Sequence, residues 1–218
     1  MTKFEIKVIS DTVCPWCYVG KNRLDKGIAA YKAAHPNSQD TFTTTWLPYY
    51  LQPDAGKSID KQQYYHNKFG EQRTRMMFER LAGIGKEDGI DFKFGGKTGN
   101  TRDSHRLIQL AKSKGPEKQT KVVEELFKAY FEEEKDITSH DVLEGAGKRA
   151  GLDEREVKEM LKGNRGGDEV DEEVKHAQMM NVGGVPHFTI QDMFELSGAQ
   201  EPQAFVQLFE RVGVTSKA

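Results

Sequence analysis

The sequence predicts an α/β fold in which a strand–helix–strand opening and a strand–strand–helix close are separated by a long helical stretch. Three observations predict it. An alternating apolar segment at the start gives way directly to helical spacing. The middle of the chain carries one helical pattern after another. The last 36 residues return to two short β-type segments followed by an amphipathic helix.

Phe4 to Ile9 reads as the first strand, with Phe4, Ile6 and Val8 apolar and Lys3, Glu5 and Lys7 between them. A turn at Ser10-Asp11 ends it. From Pro15 to Ala34 the residues Val19, Leu24, Ile28 and Tyr31 recur at helical spacing, and Pro36 stops that helix. "TFTTTWLPYYLQP" has the β-branched and aromatic content of a second strand, ended by Pro48 and Pro53. Residues from Ser58 to Met180 are mostly helical, apart from an extended piece at "IDFKF". One helix follows Thr101 or Asp103 as N-cap and ends at Gly115-Pro116. Another runs from Glu117 to Glu134 with Val122, Val123, Leu126, Phe127, Tyr130 and Phe131 inward. Shorter helices are expected at Ser139–Ala150, Asp153–Lys162 and Glu169–Met180. "VPHFTI" and "MFELSG" then form a hairpin around Gln191-Asp192. Glu201 to Val212 closes the chain as a helix with Phe205, Leu208 and Phe209 inward.

A chain of 218 residues, 36% hydrophobic and 30% charged, is long enough to bury a sizeable core and suits a soluble globular protein. A net charge of −2 offers no electrostatic footprint for nucleic acid or an anionic membrane. The charges at Lys3, Glu5 and Lys7 interrupt any signal-peptide core, and no stretch approaches a membrane span. The expected location is the cytoplasm, where thiols are kept reduced and a close cysteine pair is catalytic or metal-binding rather than a structural staple. Nothing in the sequence sets an oligomeric state.

Both cysteines, Cys14 and Cys17, stand in "SDTVCPWCYVG". Two cysteines scattered at random would fall at this spacing about one time in a hundred. A redox pair, half of a metal site, or coincidence are the candidates. Pro15 suits the first helical position, since the amide it lacks is one a helix leaves unpaired. Cys14 then sits at the N-cap, its sulfur facing free amides and the positive end of the helix dipole. Cysteines so placed titrate at about 3.5–7.5 instead of about 8.5. Cys14 is therefore the expected nucleophile. Cys17, three residues on, shares its helix face and lies within disulfide reach, as the resolving thiol. Trp16 between them offers a surface for substrates. A structural zinc needs four ligands, and the six histidines (35, 66, 105, 140, 176 and 187) contain no pair at the usual close spacing. No metal is expected.

A strand–helix–strand opening with CxxC at the helix start, closed by strand–strand–helix after "VP", resembles the thioredoxin fold. The helical stretch resembles the insertion of the DsbA-like branch. "SDTVCPWCYVG", "PYYLQP", "NTRDSHRL" and "GGVPHF" are similar to the FrnE-like group of DsbA-family oxidoreductases. The resemblance implies a discontinuous thioredoxin-like domain, 1–57 with 183–218, and an insertion domain, 58–182. It implies a redox-active disulfide, no bound cofactor, glutathione as a conceivable co-substrate, and protein or small-molecule thiols and disulfides as partners. It also implies a cis Pro186 beside the cysteines, leaving the Val185 backbone free to bond an extended substrate, so that Pro15, Trp16, Val185 and Pro186 form the substrate-binding set. Asn100, Thr101 and His105 resemble residues near the cleft, although N-capping accounts for the first two. Members commonly carry Thr after the proline; here His187 stands there, a group able to tune the thiolate or simply to pack on its strand. Asp11 is read as capping the turn before the helix, with proton relay to Cys17 as the alternative. Trp46, Tyr49 and the methionines at 76–77 and 179–180 are expected in the core or cleft wall.

Two rival functions remain on the same scaffold. Kappa-type glutathione transferases and hydroxychromene-carboxylate isomerases typically have serine where Cys14 stands. A redox-inactive ligand-binding module would make the cysteine pair a relic.

Overall fold

A computed structural model describes residues 1–56, 58–180 and 182–215. Position 57, at the expected edge of the insertion, and residues 216–218 of the expected closing segment lie outside the described residues.

The alternation at the start produces β1, Lys3–Ser10, with Phe4, Ile6 and Val8 buried and Lys3, Glu5 and Lys7 exposed. β1 is followed by α1, Pro15–Ala34, and by β2, Thr41–Pro48, which pairs with β1 in parallel, Phe4 opposite Phe42 and Val8 opposite Trp46. At the other end β5, His187–Ile190, lies antiparallel to β1, and β6, Phe194–Ser197, antiparallel to β5. The sheet order is β2-β1-β5-β6. α1 and the closing helix α9, Pro202–Thr215, cover one face. There Phe4 stacks on Phe42 at 4.6 Å and meets Tyr31 and Phe209 edge-on at 5.3 Å each. Aromatic pairs at such separations add to plain area burial.

Between β2 and β5 lie α2 (Lys61–Phe69), α3 (Glu71–Asp88), α4 (Arg102–Lys112), α5 (Pro116–Phe131), α6 (His140–Arg149), α7 (Glu154–Lys162) and α8 (Gly167–Met179). Their buried side chains join those of the sheet in one apolar cluster, from Phe4 and Val8 through Leu107, Leu126 and Phe127 to Leu143. All six inward residues expected on α5 are buried. α3 is held to α1 by charge: the buried Asp88 carboxylate accepts from Arg23 Nε and Lys26 Nζ, each at 2.7 Å.

Three expectations need correction. "IDFKF" is not a strand among the described residues. The extended pair is β3, Ile59–Asp60, against β4, Lys97–Thr98, so the β-type residues 90–94 use their apolar side chains and not a ladder. The closing hairpin has a three-residue loop, because Ile190 pairs with Phe194 and leaves Gln191, Asp192 and Met193 outside. Gln191 and Asp192 both take positive φ, 57° and 52°. Several helix ends also shift by two or three residues. α5 stops at Phe131, and Glu134 turns left-handed at φ 54°.

Candidate active site

The first turn of α1 begins as its sequence dictates. Cys14 is the N-cap in extended conformation, Pro15 follows at the first helical position, and no side chain caps the free amides. The Cys14 amide closes a turn on the Asp11 carbonyl at 3.1 Å, and the Cys17 amide donates to the Cys14 carbonyl at 3.1 Å. Both thiols are free and buried, Cys17 completely. Burial first, and the adjacent Cys14 sulfur second, push the Cys17 thiol well above its ordinary value. The Ser10 hydroxyl and the Asp11 amide act on it in the opposite direction, more weakly.

The Cys14 thiol donates to the Val185 carbonyl at 3.5 Å. The Val185–Pro186 peptide is cis. Pro186 and Phe188 lean toward α1 at Gly20, where a Cβ would stand 2.9 Å from Pro186 Cγ. Pro15, Trp16 and Val185 join Cys14 on the wall of a cavity of about 320 Å³. One face of α2 lines the same cavity: Lys61, Tyr64, Tyr65, Lys68 and Phe69. Tyr130 and Phe131 from α5, Lys93 and Phe94 from the segment after α3, and Met77, Phe78 and Leu81 of α3 also line it. Burial first, then the Cys14 sulfur, raise the Tyr65 phenol, and both residues line the same cavity. Lys61 is 3% exposed; its ammonium donates to the Tyr130 carbonyl at 3.0 Å and lies 3.7 Å from the centre of the Tyr130 ring. Burial pushes it down to about 8. The sequence placed this region in a mostly helical stretch without singling out the helix or its face, although positions 61, 64, 65, 68 and 69 have the i, i+3, i+4, i+7, i+8 spacing of a single face.

The other candidates sit elsewhere. Asp11 does not cap α1. Its fully buried carboxylate accepts from the Leu51 amide at 2.8 Å and lies 3.3 Å from His105 Nε2. That nitrogen is also 3.1 Å from the Tyr49 carbonyl. Two acceptors on one nitrogen place the proton on Nε2. The pair thus ties the CxxC turn to α4 and to the segment after β2. Asn100 caps α4, its Oδ1 accepting from the Arg102 amide at 2.8 Å, while the Thr101 side chain makes no cap. Neither lines the cavity. His187 belongs to the other face of the sheet: strand alternation turns it away from Phe188 and α1, and its Nδ1 lies 3.1 Å from Ser197 Oγ across the hairpin. It does not reach Cys14. Trp46 is core and Met77 lines the cavity, but Met76, Met179 and Met180 are exposed, contrary to expectation.

The DSBA-like thioredoxin domain family matches residues 5–210. The chain belongs to that family. Among curated proteins it is similar to the uncharacterized protein YwbO of Bacillus subtilis, 28% identical over 193 residues that cover 86% of each chain. Among solved structures it resembles the probable DsbA oxidoreductase SCO1869 of Streptomyces coelicolor, with TM-score 0.82 and 25% identity over 95% of this chain and 89% of that one. It also shares its fold with a 2-hydroxychromene-2-carboxylate isomerase (TM-score 0.64, 15% identity, 98% and 96% covered). The cytosolic disulfide reductase DsbM of Pseudomonas aeruginosa, solved with GSH, aligns at TM-score 0.56 and 15% identity, covering 95% and 98%. The DsbA-like thioredoxin fold carries the CxxC at the helix start and the Val-Pro segment against it. Among the described residues no group of His, Cys, Asp and Glu could hold a metal, and no helix is long and apolar enough to cross a membrane.

Proposed function

We propose that this DsbA-family protein is a cytoplasmic thiol–disulfide oxidoreductase of the FrnE-like kind, working through Cys14 and Cys17. The observation that carries the reading is the asymmetry of the two thiols. Cys14 opens on a cavity at a helix N-terminus, while Cys17 is sealed behind it with its proton held on.

In the reducing direction the Cys14 thiolate attacks one sulfur of a substrate disulfide. A Cys14–substrate disulfide forms, the substrate S–S bond breaks, and the second substrate sulfur leaves as a thiolate. Cys14 then carries no negative charge, so one of the two main influences holding the proton on Cys17 is gone. Cys17 loses that proton and attacks Cys14, and the first substrate sulfur leaves as thiol. Two electrons have passed from the protein dithiol to the substrate. The reverse sequence oxidises a substrate dithiol. The chain needs no bound cofactor for either. The GSH held by DsbM makes glutathione the first external thiol to try as reductant.

Intact-mass analysis of single-cysteine variants tests the reading. Cys17→Ser should trap a stable adduct on Cys14 with a small disulfide, and Cys14→Ser should form none at the same exposure time. Equal adduct formation by both variants would refute the assigned roles. Absence of exchange by the wild type would favour the ligand-binding module.

A further inference from the structure

The charge of the cavity beside Cys14 is opposite in sign to that of the chain. The net formal charge is −2, yet Lys61, Lys68 and Lys93 line the cavity and no Asp or Glu does. Lys93 is half-exposed, and its nearest carboxylate, Asp91, stands 3.7 Å away. Lys68 is engaged with the Tyr64 hydroxyl at 3.0 Å. Lys61 is the unusual one. Its ammonium is buried, and among the described residues no carboxylate lies within ion-pair distance of it. Buried ammonium groups ordinarily have such a partner. Its bond to the Tyr130 carbonyl, in the last turn of α5, is a reasonable helix-end contact. That contact uses one of three N–H donors and leaves two free on a residue that lines the cavity.

Rings make up much of the remaining wall, Trp16, Tyr64, Tyr65, Phe69, Tyr130 and Phe131 among them, with aliphatic side chains such as Leu51, Met77 and Leu81 between them. At about 320 Å³ the space is at the small end of ligand pockets, the size of one substituted ring system and not of a folded segment. The geometry points to a low-molecular-weight aromatic disulfide bearing a carboxylate or similar anion as the substrate class, its ring among the aromatic side chains, its anion on Lys61, and its sulfur at Cys14. This inference rests on the reading of Cys14 as the attacking thiol.

Single-turnover reduction by the pre-reduced protein, which itself supplies the two electrons, tests it with three disulfides. These are 5,5′-dithiobis(2-nitrobenzoate), aromatic and anionic; 2,2′-dithiodipyridine, aromatic and neutral; and oxidised glutathione, anionic and aliphatic. The quantity read is the ratio of second-order rate constants, anionic aromatic over neutral aromatic, in wild type and variants. Lys61→Gln keeps a donor for the Tyr130 carbonyl and removes the charge, and it should lower that ratio about tenfold or more. Lys93→Gln, at a more solvated position, should lower it by a smaller factor and guards against a folding defect in the first variant. Oxidised glutathione should react more slowly with the wild type than the anionic aromatic disulfide. An unchanged ratio in both variants overturns the inference, as does a glutathione rate above both aromatic ones. Failure of the wild type to reduce even the neutral disulfide would instead overturn the redox reading on which it rests.

Discussion

Replacing Lys61 with methionine should make the protein more stable at neutral pH and less stable in strong alkali. An ammonium that titrates near 8 when folded and near 10.4 when unfolded costs the folded state about 3 kcal/mol at neutral pH. Burial is the main cause, and the Glu134 carboxylate offsets it only in part. Below pH 8 both states hold the proton and the cost is fully present. Between about 8 and 10.4 the folded state releases the proton first, so wild-type stability rises with pH across that window. Above it the penalty has gone. Methionine has a similar length and no charge, but it leaves the Tyr130 carbonyl unpaired, a loss of about 1–2 kcal/mol. The net expectation is a gain of about 1–2 kcal/mol at pH 7, turning into a loss of similar size near pH 10.5. Other titrating groups are common to both proteins and largely cancel in the difference. Urea unfolding followed by circular dichroism at pH 7, 9 and 10.5 would show the two stability curves crossing. A variant destabilised equally at all three values would refute the account and reduce Lys61 to a helix-end contact.

Two further substitutions probe the frame around the thiols. Gly20→Ala would set a methyl group 2.9 Å from Pro186 Cγ and 3.1 Å from Phe188 Cζ. It should cost about 1–3 kcal/mol and slow disulfide exchange by displacing the Val185–Pro186 segment; a melt unchanged within a degree would show that α1 and this segment yield freely. Asp88→Asn removes the carboxylate that binds Arg23 and Lys26, leaving Arg23 with the Ala199 carbonyl and the exposed Glu201. Thermal melting should report a loss of about 2–4 kcal/mol, and a neutral result would show that water compensates Arg23.

What the sequence revealed was local in origin. The alternation of Phe4, Ile6 and Val8 with Lys3, Glu5 and Lys7 needs only one exposed and one covered face. Pro15 after Cys14 needs only the rule for a first helical turn. Both are visible within ten residues, and the strand and helix they predict are present. The failures required distant partners. "IDFKF" has strand composition, but a strand exists only where another offers its edge, and the edge here went to Lys97–Thr98. The hairpin loop gained Met193 because the pairing of β5 with both neighbours fixed its register. Asp11 looked like a cap because its true partners, Leu51 and His105, are 40 and 94 residues away. His187 is a subtler case. Its parity relative to Phe188 could be counted, but which face carried α1 could not. The α2 face was periodic in plain view, yet a periodic aromatic face reads the same whether it meets a core or a cavity.

The candidate site is assembled from two parts of the chain. Cys14, Cys17, Val185 and Pro186 come from α1 and the segment before β5, the part of the chain that forms the sheet and its covering helices. The charges and most of the rings on the cavity wall come from α2, the segment after α3, and α5, between β2 and β5. The two contributions meet at the cavity and again in the core, where Tyr18 of α1 stacks on Phe127 of α5 and Asp88 of α3 binds Arg23 and Lys26. A change on α1 alters what the sulfur does, because it moves the helix end, the buried partner thiol or the Val185 carbonyl. A change on α2 alters what reaches the sulfur, because it exchanges a charge or a ring on the cavity wall and leaves the first turn of α1 intact. The stability cost of Lys61 fits this arrangement. An ammonium buried with no carboxylate at ion-pair distance is disfavoured in the free protein at neutral pH, and that cost is lifted when an anion occupies the space beside it.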